Sequence, residues 1–219
     1  MKDNNNNVIT LTGTILSAAE FGHEISGEDF YNVFVSIPRM SEIADVLKVT
    51  MSGRIIKVND LLIGCNVEID GQIRTYNRKD ETGKSKLNVT VFANAINILD
   101  DSDVAFDNEA KLTGYICKKP VKRRTPFGRD VCDLILAVNR SYGRSDYVPC
   151  ICWGRNAKFV SELEIGSKIT CEGRLQSRQY NKTVDDKVET RIAYELSVKT
   201  VTKELFSMDG IMEEIKQID

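Results

Sequence analysis

Leu11-Thr12-Gly13-Thr14-Ile15 returns as Leu112-Thr113-Gly114-Tyr115-Ile116, and Gly64-Cys65-Asn66-Val67-Glu68-Ile69-Asp70-Gly71 returns as Gly166-Ser167-Lys168-Ile169-Thr170-Cys171-Glu172-Gly173. Between these anchors Gly53-Arg54-Ile55-Ile56-Lys57 matches Gly154-Arg155-Asn156-Ala157-Lys158. The offset is 101 or 102 residues each time. Three matches in the same order at nearly constant separation describe a duplicated domain, with a period too long for a solenoid. The polar run Asp100-Asp101-Ser102-Asp103 suits the linker between the copies. The expected organisation is a disordered N-terminus (1–7), a first repeat (8–104), a second repeat (105–203) and a tail (204–219).

The second copy shows its elements more clearly. Ala110 to Lys118, Val131 to Asn139 and Tyr147 to Trp153 read as strands. Asn156 to Leu163 follows as a short helix with Phe159, Val160 and Leu163 on one stripe and Gly166 as a stop signal. Lys168 to Arg178 and Arg191 to Val201 complete the unit. The first copy fits the same scheme, with strands near Val8 to Ala18, Phe30 to Pro38, Lys48 to Met51, Val67 to Tyr76 and Lys86 to Leu99. Three strands, a short helix and two strands in about 95 residues is the order of an OB barrel, a five-stranded Greek key that offers its second and third strands and long loops to oligonucleotides. The predicted fold class is therefore all-β with short helices: two tandem OB barrels and a short C-terminal helix.

With 42% hydrophobic and 28% charged residues, the 219-residue chain has the composition of a soluble globular protein. No apolar run is long enough to span a bilayer, and Met1-Lys2-Asp3 followed by four asparagines lacks the apolar core of a secretion signal, so a cytoplasmic location is expected. The net charge of −2 conceals a division. Residues 1–104 carry 10 Lys/Arg against 15 Asp/Glu, residues 105–203 carry 19 against 12, and residues 204–219 carry 1 against 5. A basic block held between two acidic ones points to one domain meeting a polyanion.

The basic block has a focus. Lys118-Lys119-Pro120-Val121-Lys122-Arg123-Arg124-Thr125-Pro126-Phe127-Gly128-Arg129 reads as a loop with six cations, no acid and one ring near an expected turn. A single strand without sequence preference is held by cations that track phosphates and by rings that stack on bases. Phosphate contacts are thus expected at Lys118, Lys119, Lys122, Arg123, Arg124 and Arg129, with stacking at Phe127. The first repeat has Glu20, Glu24, Glu28 and Asp29 where the second has this loop. Its expected work is structural, in pairing or dimerisation, or weak extension of a bound strand through Arg74, Tyr76, Arg78 and Lys79. Cys150 and Cys152 share a strand face, but zinc wants four N/S ligands in recognisable pairs. The only histidine, His23, lies in the other repeat and the remaining cysteines are scattered, so no metal and no cofactor are expected. The six cysteines read as small hydrophobes of a reduced compartment. No paired carboxylate, His-centred or phosphate-loop pattern points to catalysis.

Three stretches of the second repeat resemble the bacterial single-stranded DNA-binding protein family: Leu134-Ile135-Leu136-Ala137-Val138-Asn139-Arg140, Tyr147-Val148-Pro149-Cys150-Ile151-Cys152-Trp153-Gly154 and Glu172-Gly173-Arg174-Leu175-Gln176-Ser177-Arg178-Gln179-Tyr180. They cover residues 108–203 in the correct order. The resemblance implies stacking rings at Tyr142, Tyr147, Trp153 and Tyr180, with tyrosine in place of tryptophan at several of them. Near these lie Arg140, Arg144, Arg155, Lys158, Arg174, Arg178 and Lys182 as further phosphate contacts. It implies a role in DNA replication, recombination or repair. It also implies an assembly of four barrels, hence a homodimer of this two-barrel chain. The family commonly ends in a flexible linker and an acidic Pro-Phe tip that recruits replication and repair proteins. Here Leu205, Met208, Ile211, Met212, Ile215 and Ile218 recur between acids at helical spacing, the pattern of a short amphipathic helix that packs on a barrel or recruits a partner. A replication-restart accessory, an RNA-binding OB protein and a protein-interaction module are the alternative readings.

Overall fold

A computed structural model describes residues 5–41, 43–79, 83–100, 104–184 and 187–204. The first repeat supplies β1 (Asn7–Ile15), β2 (Glu20–Ile25), β3 (Glu28–Pro38), β4 (Ala44–Ser52), β5 (Asn66–Lys79) and β6 (Ser85–Leu99). The second supplies β7 (Asp107–Ile116), β8 (Val121–Arg124), β9 (Asp130–Asn139), β10 (Ser145–Trp153), α1 (Gly154–Ser161), β11 (Lys168–Val184) and β12 (Lys187–Lys203). The expected amphipathic helix of the tail lies outside the described residues. No helix among the described residues is long and apolar enough to cross a membrane.

All twelve strands join one sheet in the order β2-β3-β4-β6-β5-β1-β7-β11-β12-β10-β9-β8. Outward from the β1–β7 seam each half repeats the order of the other. Contacts of β1 with β3 and of β7 with β9 close each half into a barrel. Two of the three repeated sequence motifs acquire a physical reason. A Cβ on Gly13 would stand 2.6 Å from the Ser36 carbonyl oxygen, and one on Gly114 would collide with that of Ala137. Glycine there lets β1 and β7 cross close to the strands that complete their barrels. Gly64 and Gly166 sit at φ of +91° and +88°, and their N–H groups donate to the Ile15 and Ile116 carbonyls at 2.9 and 2.8 Å. Each turns the chain into the long fourth barrel strand from a backbone conformation that favours glycine.

Alternation fills the cores. Ile9, Leu11, Ile15, Val35, Val49 and Ile69 are buried in the first barrel, and Leu112, Ile116, Leu136, Val148 and Leu196 in the second. Cys132, Cys150, Cys152 and Cys171 are free thiols within the second core. Burial pushes the Cys171 thiol up to about 12 and raises that of Cys152 as well, so these groups stay neutral and pack as small hydrophobes. Among the described residues no three His, Cys, Asp or Glu side chains gather as metal ligands would.

Three differences from the sequence reading are informative. The asparagine run does not stay loose throughout: β1 begins at Asn7, and Thr113 donates its N–H to the Asn6 carbonyl at 2.8 Å. The helix α1 starts and ends two residues early; Ala157 and Val160 are its buried residues, while Phe159, expected inside, is 39% exposed. In the first repeat the corresponding segment forms only a turn and the 3₁₀ turn Val58–Asp60, consistent with Ile55, Ile56 and Val58 being β-branched residues of low helix propensity. Finally, each repeat has one strand more than expected, β2 and β8, both exposed along their whole length.

The seam is a near-symmetric set of bonds. β1 and β7 run antiparallel from Asn7 opposite Leu112 to Thr12 opposite Asp107. Where β5 bends away from β1, the Asn7 side chain acts as a substitute peptide group: Nδ2 donates to the Ile73 carbonyl and Oδ1 accepts the Ile73 N–H, both at 2.8 Å. Asn108 does the same to Leu175 at 2.8 and 3.0 Å. Two buried carboxylates then fasten barrel to barrel. Asp146 accepts both Arg140 donors, the Arg74 Nη1 at 3.2 Å and the Thr75 N–H at 2.5 Å. Thr75 Oγ1 in turn accepts the Tyr147 N–H at 2.8 Å. At the equivalent place Asp45 accepts two Arg39 donors and the Ser177 N–H at 2.8 Å, with Arg174 Nε at 3.9 Å, and Ser177 Oγ accepts the Val46 N–H at 3.0 Å.

Candidate nucleic-acid interface

The run read as a basic loop is mostly a hairpin. β8 pairs with β9 from Val121 opposite Asp133 to Arg124 opposite Asp130. Thr125-Pro126-Phe127-Gly128 makes the turn, closed by the Gly128 N–H on the Thr125 carbonyl at 2.9 Å with Gly128 at φ +77°. Phe127 stands at its tip, 93% exposed. The register brings acids that the loop itself lacks. Arg123 grips Asp133 through two bonds of 2.6 and 3.1 Å, and Lys122 and Arg124 flank Asp130 at 3.5 and 3.4 Å. Such exposed pairs contribute about 0–1 kcal/mol each and exchange readily for another anion. Lys118, Lys119 and Arg129 make no ion pair among the described residues.

Three rings that the resemblance singled out are exposed on the same barrel. Tyr147 and Trp153 have odd positions on β10 and share its outer side, while Val148, Cys150 and Cys152 point into the core. Tyr180 lies far along β11 with the Arg178 guanidinium 5.8 Å from its ring centroid. The side chain of Tyr142 lies outside the described residues; its backbone belongs to the turn Ser141–Gly143 between β9 and β10. Arg178 donates to the buried Glu195 carboxylate at 2.9 Å, and Gln176 donates to the same group at 2.9 Å. Hydrogen bonding to Asp133 raises the pKa of Arg123, and hydrogen bonding to Glu195 raises that of Arg178. The two pairs also sense each other across β10, Arg123 feeling the Glu195 charge and Arg178 that of Asp133.

Two arginines expected at phosphates do other work. Arg140 is committed to buried Asp146 and to the Thr75 carbonyl at 3.1 Å, and Arg174 reaches toward Asp45 and donates to Gln176 at 3.3 Å. Both face the seam because their strands meet the other barrel there. Arg144, Arg155, Lys158 and Lys182 make no ion pair among the described residues, and all four are exposed. The sequence reading did not foresee Thr75, Asp45 and Asp146 as the fastening. An acid and an arginine recurring at the 101-residue offset, Arg39 and Asp45 against Arg140 and Asp146, were the available signal. Tyr76, 44% exposed, follows Thr75 directly, so the seam bond to Tyr147 lies next to an exposed ring from each barrel.

Comparison with known proteins agrees with this division. The model of the single-strand binding protein family matches residues 107–203. The single-stranded DNA-binding protein A of Bacillus subtilis is 35% identical over 88 residues, covering 37% of this chain and 51% of that protein. The single-stranded DNA-binding protein 1 of Staphylococcus aureus is 38% identical over 80 residues, covering 33% and 48%. The chain thus spans about half the length of the curated relatives it matches. Over nearly its full length the fold is similar to crystal structures of the single-stranded DNA-binding protein from Thermus aquaticus. A deletion variant gives a TM-score of 0.72 at 22% identity, covering 92% of this chain and 96% of that one; the wild type gives 0.71 at 21%, covering 92% and 94%. Residues 107–203 are thus similar to the single-strand binding protein family, and the likeness to the Thermus aquaticus structures extends the shared fold over nearly the whole chain.

Proposed function

We propose that the chain binds single-stranded DNA without sequence preference, protecting or organising it during replication, recombination or repair in the cytoplasm, with the second barrel as the main contact. The observation that carries this reading is that the family match falls on the barrel that exposes Phe127, Tyr147, Trp153 and Tyr180 and whose first hairpin and its approach bear six cations. Tyr147, Trp153, Tyr180 and Phe127 stack on bases, with Tyr142 as a fifth ring. Lys118, Lys119, Arg129, Arg144, Arg155, Lys158 and Lys182 hold phosphates, and Lys122, Arg123, Arg124 and Arg178 exchange their carboxylates for phosphates on binding. Stacking is indifferent to sequence because every base has a flat face, and counterion release makes the affinity fall steeply with salt.

The test is a titration of the full chain with poly(dT), followed by the fluorescence of Trp153, at several salt concentrations. Saturable quenching with a negative slope of log K against log salt is expected; no change of emission and no retention of labelled oligomer would reject the reading. Competition with a matched RNA oligomer separates DNA binding from an RNA-binding role. A homodimer is also part of the proposal. The outer face of the sheet across the seam is a groove lined by Val8, Thr10, Lys111, Glu172 and Arg174, and a second copy covering it would give four barrels around one centre. Light scattering should then report twice the chain mass.

A further inference from the structure

The continuous sheet ends in β2 on one side and β8 on the other. Each is hydrogen-bonded to one neighbour only, β3 and β9 respectively, so one row of backbone N–H and C=O groups on each faces outward. Open edges are templates for another strand, and proteins commonly guard them with charge. Here the two guards have opposite sign. The segment Glu20–Asp29, with Glu20, Glu24, Glu28 and Asp29, has four carboxylates and no Lys or Arg, a net −4. The segment Lys118–Asp133 has six cations and two carboxylates, a net +4. Both also expose apolar side chains at the edge: Phe21 and Ile25 on β2, Val121 on β8.

We propose that the β2 edge of one copy docks on the β8 edge of a second copy. The occupant is a copy of this chain because the complement of each edge is the other edge. The sheet order is mirrored about the seam, so β2 and β8 are equivalent elements at opposite ends of the molecule. A contact between them joins unlike patches, does not close, and propagates head to tail into a linear array. Duplication made this contact possible: two identical copies of one barrel would present edges of like charge, which repel, whereas the diverged copies attract. The contact goes beyond the proposed function, and one consequence rests on that reading: the β8 hairpin cannot serve a neighbour's carboxylates and DNA phosphates at once, so single-stranded DNA disperses the array.

Sedimentation velocity on the full chain without DNA tests this at about 10 mM and about 1 M salt, where the screening length falls from about 30 Å to about 3 Å. At low salt the weight-average sedimentation coefficient should climb with protein concentration beyond the closed unit seen at high salt. The E20K/E24K variant and the K119E/R129E variant each bring one edge to zero net charge and should each lose this growth. Mixed one to one they supply an intact edge of each kind, so association should return. E20Q/E24Q, which preserves the hairpin's shape, should give an intermediate loss. Either charge-reversed variant associating like the parent, or a mixture that stays unassociated, would overturn the proposal. A short oligo(dT) added to the parent should reverse the growth; if the array persists with DNA bound, the edge contact stands and the competition is refuted.

Discussion

Asp45 and Asp146 occupy equivalent positions in the two barrels, are both buried, and each accept two donors from an arginine six residues earlier and a backbone N–H from the opposite barrel. The first hairpins of the same two barrels, also equivalent, could hardly differ more. One carries Glu20, Glu24, Glu28 and Asp29, the other six cations and an exposed ring. What the barrels use to hold each other has stayed the same, and what they turn outward has diverged. The seam is therefore a shared necessity, while charge at the periphery is where a second copy acquires its own work.

The largest effect should come from separating the barrels. A fragment of residues 105–219 exposes β7 and leaves Arg140 and Asp146 without Thr75. It still carries Ser177, the counterpart of Thr75, and Asn108. Residues 105–219 alone should therefore rebuild the seam with a second fragment and run in analytical ultracentrifugation at twice their own mass. A stable monomeric fragment that binds poly(dT) as tightly as the parent would break the claim that the seam is essential.

Next in size, Asp146→Ala leaves Arg140 and Arg74 charged, partly buried and unpaired, a situation that costs about 3–5 kcal/mol. Asp45→Ala strands Arg39 in the same way. Chemical denaturation of the full chain should show similar losses for the two. Affinity for single-stranded DNA should separate them, because Asp146 directly precedes Tyr147 while Asp45 lies in the acidic barrel. Equal loss of affinity in both would mean that the barrels contribute equally to binding.

The charged hairpin permits a finer division. Lys118, Lys119 and Arg129 changed together to Ala should flatten the plot of log K against log salt by about 2, at about 0.7 per phosphate contact on a single strand. Lys122, Arg123 and Arg124 changed together should flatten it by less, since each already has a carboxylate to release before it meets a phosphate. Identical slopes for the two triple variants would show that the pairs to Asp130 and Asp133 do not persist in solution.

Much of this was legible beforehand, and the parts that were not share a cause. Strands with one buried face, such as Val131 to Asn139, announce themselves by alternation, and the duplication fixed the order of the second barrel onto the first. β2 and β8 gave no such signal because no side chain on either is buried, and edge strands have no apolar period to read. The seam was invisible for a different reason. Arg140 and Asp146 look like any surface pair in sequence, and only the path of β5 past β10 shows that Thr75 completes them. The same limit led Arg140 and Arg174 to be read as phosphate contacts. The exposed rings were legible as a set through the family resemblance, although Phe127 came from its position beside a turn.

The smallest and most local effect concerns Trp153. It ends β10, is 39% exposed, and supplies the extended residue from which α1 starts, with φ −120° and ψ 147°. Its ring is thus partly anchored against the barrel and partly open to solvent, which suits a surface on which a base can settle without ordering a free side chain. Trp153→Ala should weaken binding by about 1–3 kcal/mol, the usual worth of one stacked base, and Trp153→Phe by less because a flat face remains. Unfolding measurements decide between stacking and packing. A ring that serves DNA lowers affinity with little loss of stability, whereas one that serves the core lowers stability first. The comparison with Phe34 sharpens this, since it is exposed to the same degree on the first barrel, at 38%. If Phe34→Ala weakens DNA binding as much as Trp153→Ala does, the acidic barrel is a binding surface in its own right and the division drawn between the two barrels fails.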